Sequence, residues 1–270
     1  MHLIDTQTTA GEIVPARDLP SWTRSLPEDD VLLAMGEAEP GLSLREWRQR
    51  CDRVLPHASP IRRREVLTFI LRGVLDHDGQ EFASTRFVRL VRGFGAQGQR
   101  DLLWGRYLFT IPIVDAALRE VVAPIASLLD EPLVPTERLQ VSTEQWKAWL
   151  ATRLRPGSSG KSAHNARGNL LTALRRVGIV TQAAGALRTT QVRHATPEPL
   201  AFAWLVGHEM RGTHRVEAPE RWAVGASFAA RLFLPSVQHA EVCIEQGIAA
   251  GLLIRSYLAG EPRILLPVEA

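Results

Sequence analysis

From Gln97 to Leu129 the chain carries Leu102, Leu103, Tyr107, Leu108, Ile111, Val114, Leu118, Val121, Val122, Ile125, Leu128 and Leu129, mostly three or four residues apart. That is the period of an α-helix with a broad apolar face. Pro112 and Pro124 interrupt the run. Proline lacks the N–H that the helical ladder needs, and its ring crowds the turn before it, so two or three helices are expected in place of one. A stretch this apolar has to be covered on most sides. It is therefore the expected centre of a mainly α fold.

The flanking sequence is punctuated in the same way. Glu28–Glu37 is a short helix that stops before Pro40-Gly41. Ser43 can cap Leu44–Leu55, with Glu46 completing a capping box. Ser59-Pro60 opens a helix to about Leu75, and Asp76-His77-Asp78-Gly79 is a turn. Phe82–Gly93 is helical, with Phe87, Leu90, Val91 and Phe94 in register. Pro132 and Pro135 mark a linker, after which Ser142 caps Thr143–Leu154. Pro15, Pro20 and Pro27 leave the first 28 or so residues without periodicity. The expected organisation is an irregular acidic arm (1–40), a helical domain (41–133), a basic module (136–196) and a C-terminal helical domain (197–270).

Charge is distributed unevenly along this frame. The formal net charge is only +3, from 32 basic and 29 acidic residues. Residues 1–44 hold eight acids and two bases, whereas residues 145–196 hold nine bases and no acid. The nine are Lys147, Arg153, Arg155, Lys161, Arg167, Arg175, Arg176, Arg188 and Arg193. A localised positive field of this kind suits phosphate, and hence nucleic acid. It equally suits an acidic protein surface, the chain's own N-terminal segment included.

Within the basic segment, a turn at 155–160 leads into a helix over Lys161–Val177 that Gly178 ends. Leu170, Leu171, Leu174 and Val177 share one side with the alanines, and Asn165, Gly168, Asn169, Thr172 and Arg176 lie opposite, flanked by His164 and Arg175. Two β-prone runs, Ile179–Gln182 and Ala186–Val192, surround Ala183-Ala184-Gly185 as a hairpin. Helix, turn, helix and hairpin is the order of a winged helix-turn-helix, whose second helix enters the major groove. Asn can pair bidentately with adenine and Arg with guanine. Lys161, Ser162 and the helix N-terminus suit a phosphate, and Arg188 and Arg193 would reach a neighbouring one from the hairpin. The nucleic-acid-binding candidates are thus Lys161, Ser162, His164, Asn165, Asn169, Thr172, Arg175, Arg176, Arg188 and Arg193.

A weaker second copy follows. Pro197–Arg211, Pro219–Phe233 and Ser236–Gly251 read as helices, and Leu252–Tyr257 with Arg263–Val268 as a hairpin around Ala259-Gly260-Glu261-Pro262. Acids and bases are mixed here, which favours packing over nucleic-acid contact.

Other motifs fail on context. Gly93-Phe-Gly-Ala-Gln-Gly98 has the letters of a dinucleotide fingerprint but follows a helix, not a strand. Gly157-Ser-Ser-Gly-Lys-Ser162 resembles the end of a phosphate-binding loop, but Arg155 stands where its first Gly belongs. His208-Glu209 and His214 lack the i, i+4 spacing of a helical zinc site. Cys51 and Cys243 form no motif and fit a reducing cytoplasm. Most of the Trp residues, Trp146 and Trp149 among them, read as core anchors. No apolar run is long enough for a membrane span. No catalytic residue, metal site or cofactor is expected.

Arg100-Asp-Leu-Leu-Trp-Gly-Arg-Tyr-Leu-Phe109 through Ala117-Leu-Arg-Glu-Val-Val122, followed by Ser162–Gly178 and the Ile179–Val192 hairpin, resembles the BrxA family of BREX phage-defence systems. The later helix carries Ser162, Leu170 and Leu174-Arg175-Arg176-Val177-Gly178-Ile179 in the family's shape. The resemblance spans about residues 97–195, and the chain departs from it in a longer C-terminal part. It implies a mainly α-helical, non-catalytic protein that binds double-stranded DNA through a winged helix, beside a methyltransferase and an ATPase. The alternative from the residues alone is an adaptor whose basic module docks an acidic partner subunit. If the arm folds over the basic module, deleting residues 1–40 should tighten binding.

Overall fold

The computed structural model describes residues 26–267 except 40, 58, 74–84, 155–158 and 184–188. It is mainly helical, with two small antiparallel sheets of three strands each. The elements run α1 (Glu28–Gly36), α2 (Leu44–Val54), α3 (Pro60–Gly73), α4 (Thr85–Arg92), α5 (Ala96–Phe109), α6 (Pro112–Ala117) and α7 (Ala123–Ala126). They continue with β1 (Gln140–Ser142), α8 (Thr143–Arg153), α9 (Gly160–Arg176), β2 (Val180–Gln182), β3 (Thr189–Val192) and α10 (Pro199–Gly212). The chain then forms β4 (Glu217–Pro219), α11 (Glu220–Gly225), α12 (Phe228–Phe233), α13 (Val237–Ala249), β5 (Ile254–Leu258) and β6 (Glu261–Leu265).

The apolar run does lie at the centre. Leu102, Leu103, Trp104, Leu108, Val114, Leu118 and Val122 are all buried. The two prolines act differently. Pro112 starts a new helix after Ile111, which is extended. Pro124 breaks nothing: the chain widens into a π turn over Leu118–Val122, in which the Ala123 N–H reaches the Leu118 carbonyl five residues back. A wider turn accommodates the ring that an α-turn would crowd.

α5 packs on α10 with almost no space between them. A methyl group added at Gly105 would come within 2.3 Å of Leu205 Cδ1. Gly247 likewise lets α13 approach α10, its missing Cβ lying 2.3 Å from the Ala203 Cβ. The buried residues form one contiguous cluster from Leu26 to Ile264.

Several expectations need correcting. The helix expected at Glu28–Glu37 forms as α1, but it is part of the core and not of an arm: Val31, Ala34 and Met35 are buried with Leu26 and Ala38. A deletion of residues 1–40 would therefore remove part of the core. Residues 1–25 lie outside the described residues. The stretch from Pro219 to Phe233 is not one helix. It splits at Ala226-Ser227, where the buried Ser227 hydroxyl accepts the Ala230 N–H and donates to the Ala223 carbonyl. Two strands escaped the sequence reading, β1 and β4; each is three residues long and is defined by its partner alone.

The two sheets share one topology. In the first, β3 lies between β1 and β2; in the second, β6 lies between β4 and β5. In each, helices separate the first strand from a hairpin.

Candidate nucleic-acid interface

α9 is set up by its ends. Ser159 caps it, its hydroxyl accepting the Ser162 N–H at 3.2 Å and lying 3.0 Å from the Ser162 hydroxyl. Gly178, at φ 89°, ends it in a conformation that side chains resist. Leu170, Leu171, Ala173 and Leu174 are buried beneath the helix. α8 and the first sheet support it. Ser142 and Gln145 form a capping box at the start of α8. The fully buried Trp146 donates its indole N–H to Thr190 Oγ1 on β3 at 3.0 Å, and Thr190 donates onward to the Val141 carbonyl on β1 at 3.1 Å. Trp146 is thus a tie between helix and sheet, with no face left for a base. Trp149 is bonded through its indole N–H to Glu120 at 2.8 Å.

The outer face of α9 gathers the candidates that were read from spacing. At 100° per residue, Lys161, Asn165, Gly168, Thr172, Arg175 and Arg176 fall in one sector, with His164, Asn169 and Ser162 at its borders. Lys161, Ser162, His164, Arg175 and Arg176 are exposed, and Asn165, Asn169 and Thr172 are half-buried. Arg193 follows β3; it is exposed, and its Nε–H donates to the Gly178 carbonyl at 3.0 Å, which holds it at the C-terminal end of α9. Arg188 lies outside the described residues, as does Arg155.

The acid-free segment is not free of carboxylate contacts, because residues outside it supply them, from the same helix α8 as well as from distant elements. Arg153 pairs with Glu120 and Lys147 with Glu144. Arg176 lies 3.6 Å from Glu28, whose carboxylate also accepts the Trp104 indole N–H at 2.6 Å. The first residue of α1 therefore sits at the last residue of α9. Two other acids of this region are also engaged: Asp30 with His57 at 2.8 Å and Glu39 with Arg50 at 2.7 Å. Lys161 and Arg175 have no ion-pair partner among the described residues.

Between α8 and α9 lies a groove of about 340 Å³. Leu150, Ala151 and Ala163 line its floor, and Lys147, His164 and Arg167 its rim. Arg167, at 3.5 Å from His164, belongs to this groove and not to the outer face.

Along the chain, α13 precedes the hairpin of the second sheet as α9 precedes the hairpin of the first. The exposed residues of α13 include Glu241, Val242 and Glu245. α9 thus carries bases and no acid, whereas α13 carries acids and no Lys or Arg.

Both cysteines are buried, and burial pushes their thiols up to about 12, away from the nucleophilic thiolate form. The two glycine motifs follow helices α4 and α8, without the strand that nucleotide-binding loops need. No helix among the described residues is long and apolar enough to cross a membrane.

No family model, curated protein or solved structure matches the chain.

Proposed function

We propose that the chain binds duplex DNA through α9, with residues 140–192 acting as a winged helix-turn-helix and α9 as the helix that enters the major groove. The observation that carries this reading is the outer face of α9. Lys161, Arg175 and Arg176 stand there with Asn165, Asn169 and Thr172, and the helix contains no acid. The sheet order β1-β3-β2 and the succession of strand, helix, helix and hairpin support it. Phosphate contact by the bases supplies affinity, and the amides and hydroxyl on the same face can meet base edges.

A gel shift with a duplex at low and high salt tests this. Binding that weakens steeply with salt is expected; no binding at low salt refutes the reading.

The rival reading is an adaptor that docks an acidic partner on the same face, favoured by the Arg176–Glu28 contact, in which the face already meets a carboxylate. Pull-down after nuclease treatment separates the two: an adaptor keeps its partner and a DNA binder loses it. The resemblance to the BrxA family supports DNA binding and adds a proposed setting, a non-catalytic accessory role in phage defence beside a methyltransferase and an ATPase. Co-purification with those two enzymes tests that setting.

A further inference from the structure

We propose that strand β5 is a dimerisation edge that pairs antiparallel with β5 of a second copy of this chain. β5 is the outer strand of the second sheet, since β6 lies between it and β4. It joins β6 through Ala259-Gly260, both at positive φ (52° and 85°), the geometry of a two-residue hairpin turn. Leu258 pairs with Glu261 next to the turn, and Ser256 and Ile254 follow with Arg263 and Leu265. Antiparallel ladders alternate bonded and non-bonded pairs. Leu258, Ser256 and Ile254 therefore spend their backbone groups on β6, while Arg255 and Tyr257 turn theirs to the open side. Pro262 opposite Tyr257 agrees, because a non-bonded position needs no N–H. Among the described residues, no backbone bond to another element covers these outward groups.

The edge carries none of the devices that usually block pairing. It has no lysine, proline or bulge. Its one charge, Arg255, is already held by Glu220 at 2.8 and 2.9 Å and by Glu245 at 2.7 Å. Its large side chains are unusually open: Tyr257 is 70% exposed, Leu258 57% and Ile254 46%.

Within the strand, one register about a two-fold axis pairs the outward groups of both Arg255 and Tyr257. Arg255 faces Tyr257 of the second copy, and Tyr257 faces its Arg255, each pair exchanging both backbone bonds. Ser256 then faces Ser256 on the axis, and Ile254 faces Leu258 on both sides. This register is self-complementary: apolar meets apolar, a guanidinium meets an aromatic ring and no like charges meet. Two paired strands bury less than the roughly 800 Å² per partner of a standard stable interface, so association in the micromolar range is expected. The proposal does not depend on DNA binding.

Sedimentation of the full chain across the micromolar range tests it, with a shift from the mass of one chain to that of two expected. Tyr257→Pro removes an outward N–H and no bond to β6, and Leu258→Lys places a charge opposite Ile254; both variants should stay monomeric with unchanged circular dichroism. Ser256→Cys provides a geometric check. Cα atoms at a non-bonded pair lie about 4.5 Å apart, so two such thiols should close to a disulfide across the axis as oxidised glutathione is reduced to two thiols. Wild type should not cross-link, because Cys51 and Cys243 are buried. Cross-linking of Ser256→Cys that Leu258→Lys abolishes supports the proposal. A chain that stays monomeric throughout, a dimer that survives Tyr257→Pro and Leu258→Lys, or a Ser256→Cys variant that does not cross-link overturns it.

Discussion

Replacing Arg175 and Arg176 together by Gln tests the α9 interface most directly. Of the nine bases in the acid-free segment, the structure withdraws Lys147 and Arg153 into pairs with Glu144 and Glu120 and places Arg167 in the groove beside α8. Arg155 and Arg188 lie outside the described residues. Lys161, Arg175, Arg176 and Arg193 remain on or beside the exposed face. Four phosphate contacts give a slope of about −3.6 for log K against log salt, or a loss of about a hundredfold in affinity between 50 and 200 mM. Removing two of them should halve the slope to about −1.8 and reduce that loss to about tenfold. The fold should not suffer. Both side chains are exposed, and the Arg176–Glu28 contact at 3.6 Å is of the surface kind worth less than about 1 kcal/mol. Fluorescence anisotropy with a labelled duplex over a salt series measures the slope, and a thermal melt by circular dichroism checks the fold. An unchanged slope would place the contacts elsewhere, and a slope near zero in the wild type would refute phosphate binding altogether.

Glu28→Gln removes the carboxylate beside Arg176 while leaving an oxygen for the Trp104 indole N–H. Duplex affinity in the same assay should rise by a few-fold at most, the scale of one surface charge pair, and a fall would contradict the placement. Asp101 and Glu209 are buried carboxyls that accept the Glu198 and Phe228 N–H groups at the starts of α10 and α12, and desolvation raises both above their ordinary values. A folded value above the unfolded one means that the unfolded chain ionises first as pH rises, so stability from these groups is greatest at acid pH and falls as pH climbs through the shifted range. Asp101→Asn should therefore gain stability relative to wild type as pH rises from acid to neutral in urea melts; a constant difference would show that the carboxyl is not shifted. Asp101→Ala, which leaves the Glu198 N–H without its acceptor, should cost about 1–3 kcal/mol. Gly105→Ala should cost a similar amount, about 1–3 kcal/mol by overpacking, because its methyl would strike Leu205; an unaltered melting temperature would mean that α5 and α10 separate easily.

Much of the helical frame was legible because the signals are local. Ser43 with Glu46 and Ser142 with Gln145 do form capping boxes, and Pro60 does open a helix. The hairpin around Ala259-Gly260 is where the sequence places it, although the turn proper is only those two residues. The α9 face was legible for the same reason, since periodicity alone says which residues share a side. What failed was non-local. Gln140–Ser142 has one apolar residue, too short a run for alternation to signal a strand, and it becomes one only because β3 is there to pair with it. Glu217–Pro219 is extended against β6 in the same way, despite its proline. The break at Ser227 depends on a hydroxyl that is buried only in the folded chain.

The sequence by itself determined the helix starts and stops, the apolar centre and the composition of the α9 face, because capping, proline geometry and helical period act within a few residues. Only the tertiary structure decided that Arg153 is taken up by a carboxylate and that Arg176 stands beside one, because those acids come from residues 120 and 28. A charge count along the chain cannot see a partner that arrives from another helix, and ion pairing depends on distance in space.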